Sequence, residues 1–259
     1  MSENSLINRP TQPNHRRHIT IALALALWVY IGFTIAQLLI MGALWLAGEV
    51  GVELTTVNDA VFTTVLGGVI YGITLLIVVG VPWLLKGYRT SLNQIGLDRL
   101  PAWRDILISP FGFIGYLMLT ATLTFLMMQI FPAIDFLQEQ DTGFGQLVTS
   151  TDYILAFVML VVIAPVAEEV LFRGYLFGKL RQHVPLWGAI IVTSLLFGAV
   201  HGQWNVAIDT FALSVVMCLV VVWSKSIWPA ILIHMLKNGI AFYFLFINPQ
   251  LLNTIGGSL

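Results

Sequence analysis

From Ile19 to Ala47 no side chain carries a charge, and the runs Ala60 to Leu85 and Ile106 to Ile134 are equally free of charge. Each run exceeds the roughly 20 apolar residues that cross a bilayer as a helix. Backbone in hydrocarbon must satisfy its own hydrogen bonds, so only helices or closed barrels can cross. Runs this long, without apolar–polar alternation, select helices. Composition agrees: 58% of residues are hydrophobic and 10% charged, against about 25% charged in a soluble domain. A soluble globular fold is excluded. The net charge of -1 offers no electrostatic footprint for nucleic acid. The single cysteine, Cys218, rules out an internal disulfide and a multi-cysteine metal site. It lies in an apolar run and reads as inert packing, since a reactive thiol needs an electropositive, accessible setting.

The carboxyl-terminal half is patterned differently. Tyr153 to Leu180 starts apolar and then carries Glu168, Glu169 and Arg173. Leu186 to Val200 ends at His201, Trp204 to Trp223 holds Asp209, and Ile227 to Ile247 holds His234, Lys237 and Asn238. The expected fold is all-α: a multi-pass transmembrane bundle of about seven spans. The first run is too long for a signal-peptide core and is read as a retained helix. One membrane domain, 19–247, follows a polar cytoplasmic tail, 1–18, and precedes a tail at 248–259. The motif-bearing half is 153–247.

Bases alternate between connections. The amino-terminal tail has Arg9, Arg16 and Arg17. The first loop has Glu49, Glu53 and Asp59 without a base, and the second has Lys86, Arg89, Arg99 and Arg104. The third has Asp135, Glu139, Asp141 and Asp152, again without a base. Lys179 and Arg181 mark the fourth, and Lys225 the sixth. The positive-inside rule puts the amino terminus inside and the carboxyl terminus outside, and a plasma (inner) membrane is the expected location. Within the second loop, Ser91 to Arg104 reads either as an interfacial helix with Leu92, Ile95 and Leu97 toward lipid or as an irregular basic loop.

A charge at mid-membrane costs about 2.5–3.5 kcal/mol on insertion scales. Five such residues, with two histidines and an asparagine, therefore mark a functional interior. Glu169 and Arg173 are four apart and share a helix face. Glu168 is rotated about 100° from Glu169, so one carboxylate is neutralised and the other is left for chemistry. His234 and Asn238 share a face, as do Phe197 and His201. Measured from the inner helix ends at about 1.5 Å per residue, Glu168 lies about 18 Å deep, His201 about 22 Å and His234 about 10 Å. Asp209 reads as a helix-interface or cavity-rim residue. Lys237 is expected to snorkel or to pair with a carboxylate.

A carboxylate in a dry cavity can act as general base toward water. Imidazoles can position that water, hold a metal or stabilise an oxyanion, and an asparagine amide can serve an oxyanion without charge. Glu, two His and Asn form a hydrolytic set. Ser194 has no evident base, and the His-Glu-x-x-His zinc motif is absent. Carboxylate and imidazole chains also build proton relays, so a proton-coupled transporter is the alternative from another class. No inverted repeat supports it.

Glu168-Glu169-Val-Leu-Phe-Arg173 resembles the E-E-x-x-x-R motif of the CPBP intramembrane proteases, also called the ABI family, whose eukaryotic branch is the type II CAAX prenyl endopeptidase. Phe197-Gly-Ala-Val-His201 is similar to its F-x-x-x-H motif, and His234-Met-Leu-Lys-Asn238 to its H-x-x-x-N motif. All three stand in family order on separate helices. The resemblance covers about 153–247 and leaves Ile19 to Ile134 unassigned. It implies a helical bundle around a conical cavity and peptide-bond hydrolysis within the membrane. Glu168 would activate water with His201, His234 and Asn238 would stabilise the oxyanion, and Glu169 and Arg173 would hold the local structure. Family members are described both as zinc enzymes and as metal-independent glutamate proteases. If a metal is used, Glu168, His201 and His234 could supply the three ligands of a catalytic zinc. The implied partners are membrane lipid and a peptide or protein substrate, including lipid-modified ones. A bacteriocin-immunity-type protein without activity is a further alternative within the family.

Overall fold

Long apolar runs fold as helices here because hydrocarbon offers the backbone no other partner. The computed structural model describes residues 15–53, 57–85, 89–133 and 142–251. Arg9, Lys86, Asp135, Glu139, Asp141 and the last part of the carboxyl-terminal tail lie outside the described residues. The elements are α1 (His15–Glu49), α2 (Asp59–Leu84), the single turn α3 (Leu92–Ile95), α4 (Trp103–Ile130), α5 (Ser150–Leu180), α6 (Leu186–Ala199), α7 (Trp204–Ser224) and α8 (Trp228–Ile247). Apart from α3 and α6, each is long and apolar enough to span a bilayer, and the chain is an integral, multi-pass membrane protein. Helix α6 has 14 residues, about 21 Å at 1.5 Å per residue, against the roughly 30 Å of the hydrocarbon core. The fifth of the seven expected spans is thus a short apolar helix. It stops because the chain reverses at His201 and Gly202, where Gly202 takes φ 67°.

The core forms around α5. Leu171, Phe172, Leu176, Phe177 and Leu180 are buried against Ile190 and Phe197 of α6 and Leu213 and Met217 of α7. Cys218 is fully buried in the same cluster. Helix α4 lies against α7 and α8, and α1 lies along α2.

Two prolines break this regularity. Before Pro165 the helix widens to a π turn over Val158–Ile163, and Ala164 donates back to the Met159 carbonyl. The next donor in that register would be Pro165, which has no N–H. The Leu160 carbonyl is thereby freed, and the Asn238 side chain donates to it at 2.8 Å. A second π turn, Leu76–Gly80, precedes Pro82. There the indole of Trp28 donates to the Val78 carbonyl at 3.1 Å. In each case a polar side chain from another helix meets a backbone acceptor that lipid could not.

The second loop departs from expectation. Its helix is one turn, Leu92–Ile95, closed by a capping box between Ser91 and Gln94. It ends at Gly96, φ 86°, where a Cβ would collide with Ile227 Cγ2. Ile95 is buried and packs with Ile227 and Ile231, with Leu97 against the same cluster, so only Leu92 of the three expected lipid-facing residues is exposed. The Trp228 indole donates to the Arg99 carbonyl at 2.7 Å. This segment folds over the start of α8 instead of lying out in lipid. Arg99 grips the buried Asp105 carboxylate with both terminal nitrogens, at 2.5 and 3.0 Å, and Asp105 accepts from the Ala102 N–H. That pairing lets α4 begin at Trp103, three residues before the uncharged run.

Candidate active site

The Glu168–Glu169 pair lies in a stretch of α-helix between two π segments, Val158–Ile163 and Val170–Phe177. Widened turns of this kind recur at functional sites. Glu169 is fully buried and accepts from Arg173 Nη1 at 2.8 Å. The same oxygen, Oε1, also meets Nδ1 of His234 at 2.9 Å. Glu169 therefore joins α5 to α8 and fixes the imidazole. A carboxylate only accepts, so Nδ1 carries the proton, and Nε2 faces the other carboxylate, 3.8 Å from Glu168 Oε2.

Glu168 is half-buried. Its Oε1 accepts from the Tyr71 hydroxyl of α2, while its buried Oε2 has no protein partner. His201, at the turn after α6, sets its Nδ1 2.7 Å from the Phe197 carbonyl. That bond assigns the proton to Nδ1 and leaves a lone pair on Nε2. A cavity of about 80 Å³ is lined by Phe33, Tyr71, Glu168, Leu171, Phe172, Val200 and His201. It has room for a few water molecules, and its polar rim gives them partners.

Phe197 organises the rings. It stands edge-on to Phe172, His201 and His234 at centroid distances of 4.9, 5.0 and 5.9 Å. The Arg173 guanidinium lies 4.3 Å from its centroid. One aromatic ring thus spaces both imidazoles and screens the buried cation.

The structure therefore brings Glu168, His201 and His234 together. Asn238 lies one turn beyond His234 and donates one amide proton to Leu160. The two imidazoles, expected about 12 Å apart in depth from the rise per residue, both stand against the Phe197 ring, at centroid distances of 5.0 and 5.9 Å.

The match to a known family falls on this half. Residues 150–240 match the type II CAAX prenyl endopeptidase Rce1-like family. The match covers about a third of the chain. The chain is 34% identical over 97 residues to the membrane-embedded CAAX protease MroQ of Staphylococcus aureus (strain USA300), covering 35% of this chain and 39% of that protein. It is 26% identical over 84 residues to the putative membrane peptidase YdiL of Bacillus subtilis (strain 168), covering 32% and 34%. The matches thus span less than half of each relative's length. No solved structure matches the chain.

Two cavity residues, Phe33 and Tyr71, lie outside the segment that carries the Rce1-like family match. Sequence reasoning missed them because the family motifs begin at Glu168. The available signal was a phenol in the middle of an uncharged span, where it needs an acceptor. Asp209 and Lys237 form their own network. Lys237 Nζ is 3.4 Å from Asp209 Oδ2, and Asp209 Oδ1 accepts from Tyr116 at 2.5 Å and Thr120 at 3.0 Å. Of the two fates expected for Lys237, the structure has the carboxylate pair, and Asp209 lies at a helix interface. Among the described residues no three His, Cys, Asp or Glu side chains form a group able to hold a metal ion. As placed, Glu168, His201 and His234 do not fit a three-ligand zinc centre.

Proposed function

We propose that the chain is an intramembrane endopeptidase that hydrolyses a peptide bond in a membrane-associated or lipid-modified substrate. The observation that carries this reading is the unpartnered Glu168 Oε2, 3.8 Å from His234 Nε2, on a small cavity shared with His201. A water held between Glu168 Oε2 and the His201 Nε2 lone pair attacks the carbonyl carbon, and Glu168 takes its proton. The carbonyl oxygen becomes an oxyanion. His234, in its doubly protonated form, donates from Nδ1 to Glu169 and from Nε2 to that oxyanion. One proton of Asn238 is committed to Leu160, so the oxyanion falls first to His234, with the second amide proton as the further donor. Glu168 then passes its proton to the leaving nitrogen as the C–N bond breaks, giving a carboxylic acid and an amine.

The cavity wall formed by α1, α2 and the turn at Val200–His201 fits lateral entry. A lipid anchor remains in the bilayer while the scissile segment reaches Glu168. With the amino terminus inside, entry is from the inner leaflet or the cytoplasm of the plasma (inner) membrane. Cys218 is fully buried, so single-cysteine variants can be labelled in an otherwise native chain. A cysteine placed beside His234 that reacts with an impermeant reagent only from outside would reverse this topology.

The deciding experiment uses purified protein in proteoliposomes with membrane-anchored peptides, and Glu168→Gln beside the native chain. Turnover is expected to fall by at least about 100-fold, the lower range for loss of a general base. Unchanged cleavage by Glu168→Gln removes the hydrolytic assignment. Turnover that survives a chelator supports the metal-free route, and its loss supports zinc.

A further inference from the structure

We infer that Tyr71 is the positioning residue of the catalytic carboxylate, supplied by the half of the chain that carries no family motif. The inference rests on the peptidase reading above and adds a residue to it. Three observations support it. The Tyr71 hydroxyl donates to Glu168 Oε1. The other oxygen, Oε2, is buried without a protein partner and faces His234 Nε2 at 3.8 Å. Tyr71 also lines the cavity that Glu168 and His201 share.

The geometry divides the carboxylate's labour. A glutamate has three side-chain torsions, and one end held only by its own backbone samples several rotamers. The phenol removes that freedom by anchoring one oxygen. The remaining oxygen is then the one aimed at water, on the side of the two imidazoles. A base must stand within hydrogen-bond reach of the proton it takes, and small misplacements cost large factors in rate. The anchor comes from α2, so docking α2 against α5 sets the base. The tie between the same helices at their outer ends, Asn58 to Asp152 at 3.0 Å, holds α2 in that register without touching the site.

Tyr71→Phe keeps the ring and removes only the donor. In proteoliposomes it is expected to lower kcat about 10- to 100-fold, with KM within about two-fold, because substrate contacts are retained and the base is misplaced. Melting temperatures complete the test without activity. Tyr71→Phe is expected to lower the melting temperature of the native chain and to lower it less in the Glu168→Gln background, because the shared bond is already altered. A Tyr71→Phe protein with native kcat, while Glu168→Gln is inactive, overturns the positioning role and leaves the peptidase reading standing. A raised KM at native kcat also overturns it, in favour of a substrate contact. Cleavage by Glu168→Gln at the native rate overturns the peptidase reading itself. If Tyr71→Phe does not fold, Tyr71→His, which retains a donor, separates the cases: native-like kcat supports the role, and a folded protein with lost kcat and additive melting shifts overturns it.

Discussion

The two halves of this molecule use the bilayer in opposite ways. In α1, α2 and α4 only 22%, 11% and 22% of the most apolar window is buried inside the protein, whereas α5 and α7 bury 44% and 39%. The front half turns leucine, isoleucine and phenylalanine outward to lipid. The rear half turns its small and charged residues inward and closes them off. Polar groups are costly in hydrocarbon, so the half that holds them must also supply the packing. The front half is released from that demand and serves as a brace, touching the site through Tyr71 and Phe33.

That contrast can be broken or sharpened by substitution. The largest effect is expected at Arg173, whose removal strands the fully buried Glu169. Arg173→Ala should cost about 3–5 kcal/mol and abolish activity through loss of fold, seen as a lowered melting temperature in detergent. Next is Gly174, where an added Cβ would sit 2.5 Å from Ile95 Cγ2. Gly174→Ala should cost about 1–3 kcal/mol by overpacking and should loosen the α3 segment, read as faster proteolysis between α2 and α4. Lys237→Met should cost no more than about 1 kcal/mol, because Asp209 keeps its bonds to Tyr116 and Thr120. The smallest effect belongs to the front half. Leu38 is 60% exposed, and Leu38→Ala should change melting and turnover within about 0.5 kcal/mol. A large loss there would show that the outer face of α1 is covered by protein and would undo the comparison.

The rear half was legible because its chemistry is written in residues that hydrocarbon penalises. Glu168, His201 and His234 stand out from their spans, and the four-residue spacing of Glu169 and Arg173 states their pairing directly. The front half was legible only as helices, since lipid-facing residues carry no positional information beyond being apolar. Tyr71 was hidden because its acceptor is 97 residues away. The loop at 91–100 misled for a related reason. Leu92, Ile95 and Leu97 look alike to a lipid surface and to a protein surface, and only Gly96, with no Cβ to oppose Ile227, hinted at close approach. The role of Asn238 as a partner for Leu160 depends on the π register before Pro165, which spacing at 3.6 residues per turn does not reveal.

The bond from Glu169 to His234 also has a consequence for biogenesis. Chains are made from the amino terminus, so α5 enters the bilayer while α8 has not yet been synthesised. During that interval Glu168 lacks the imidazole opposite it, and Glu169 is held by Arg173 alone. The hydrolytic site proposed above is thus incomplete until the helix that bears His234 arrives.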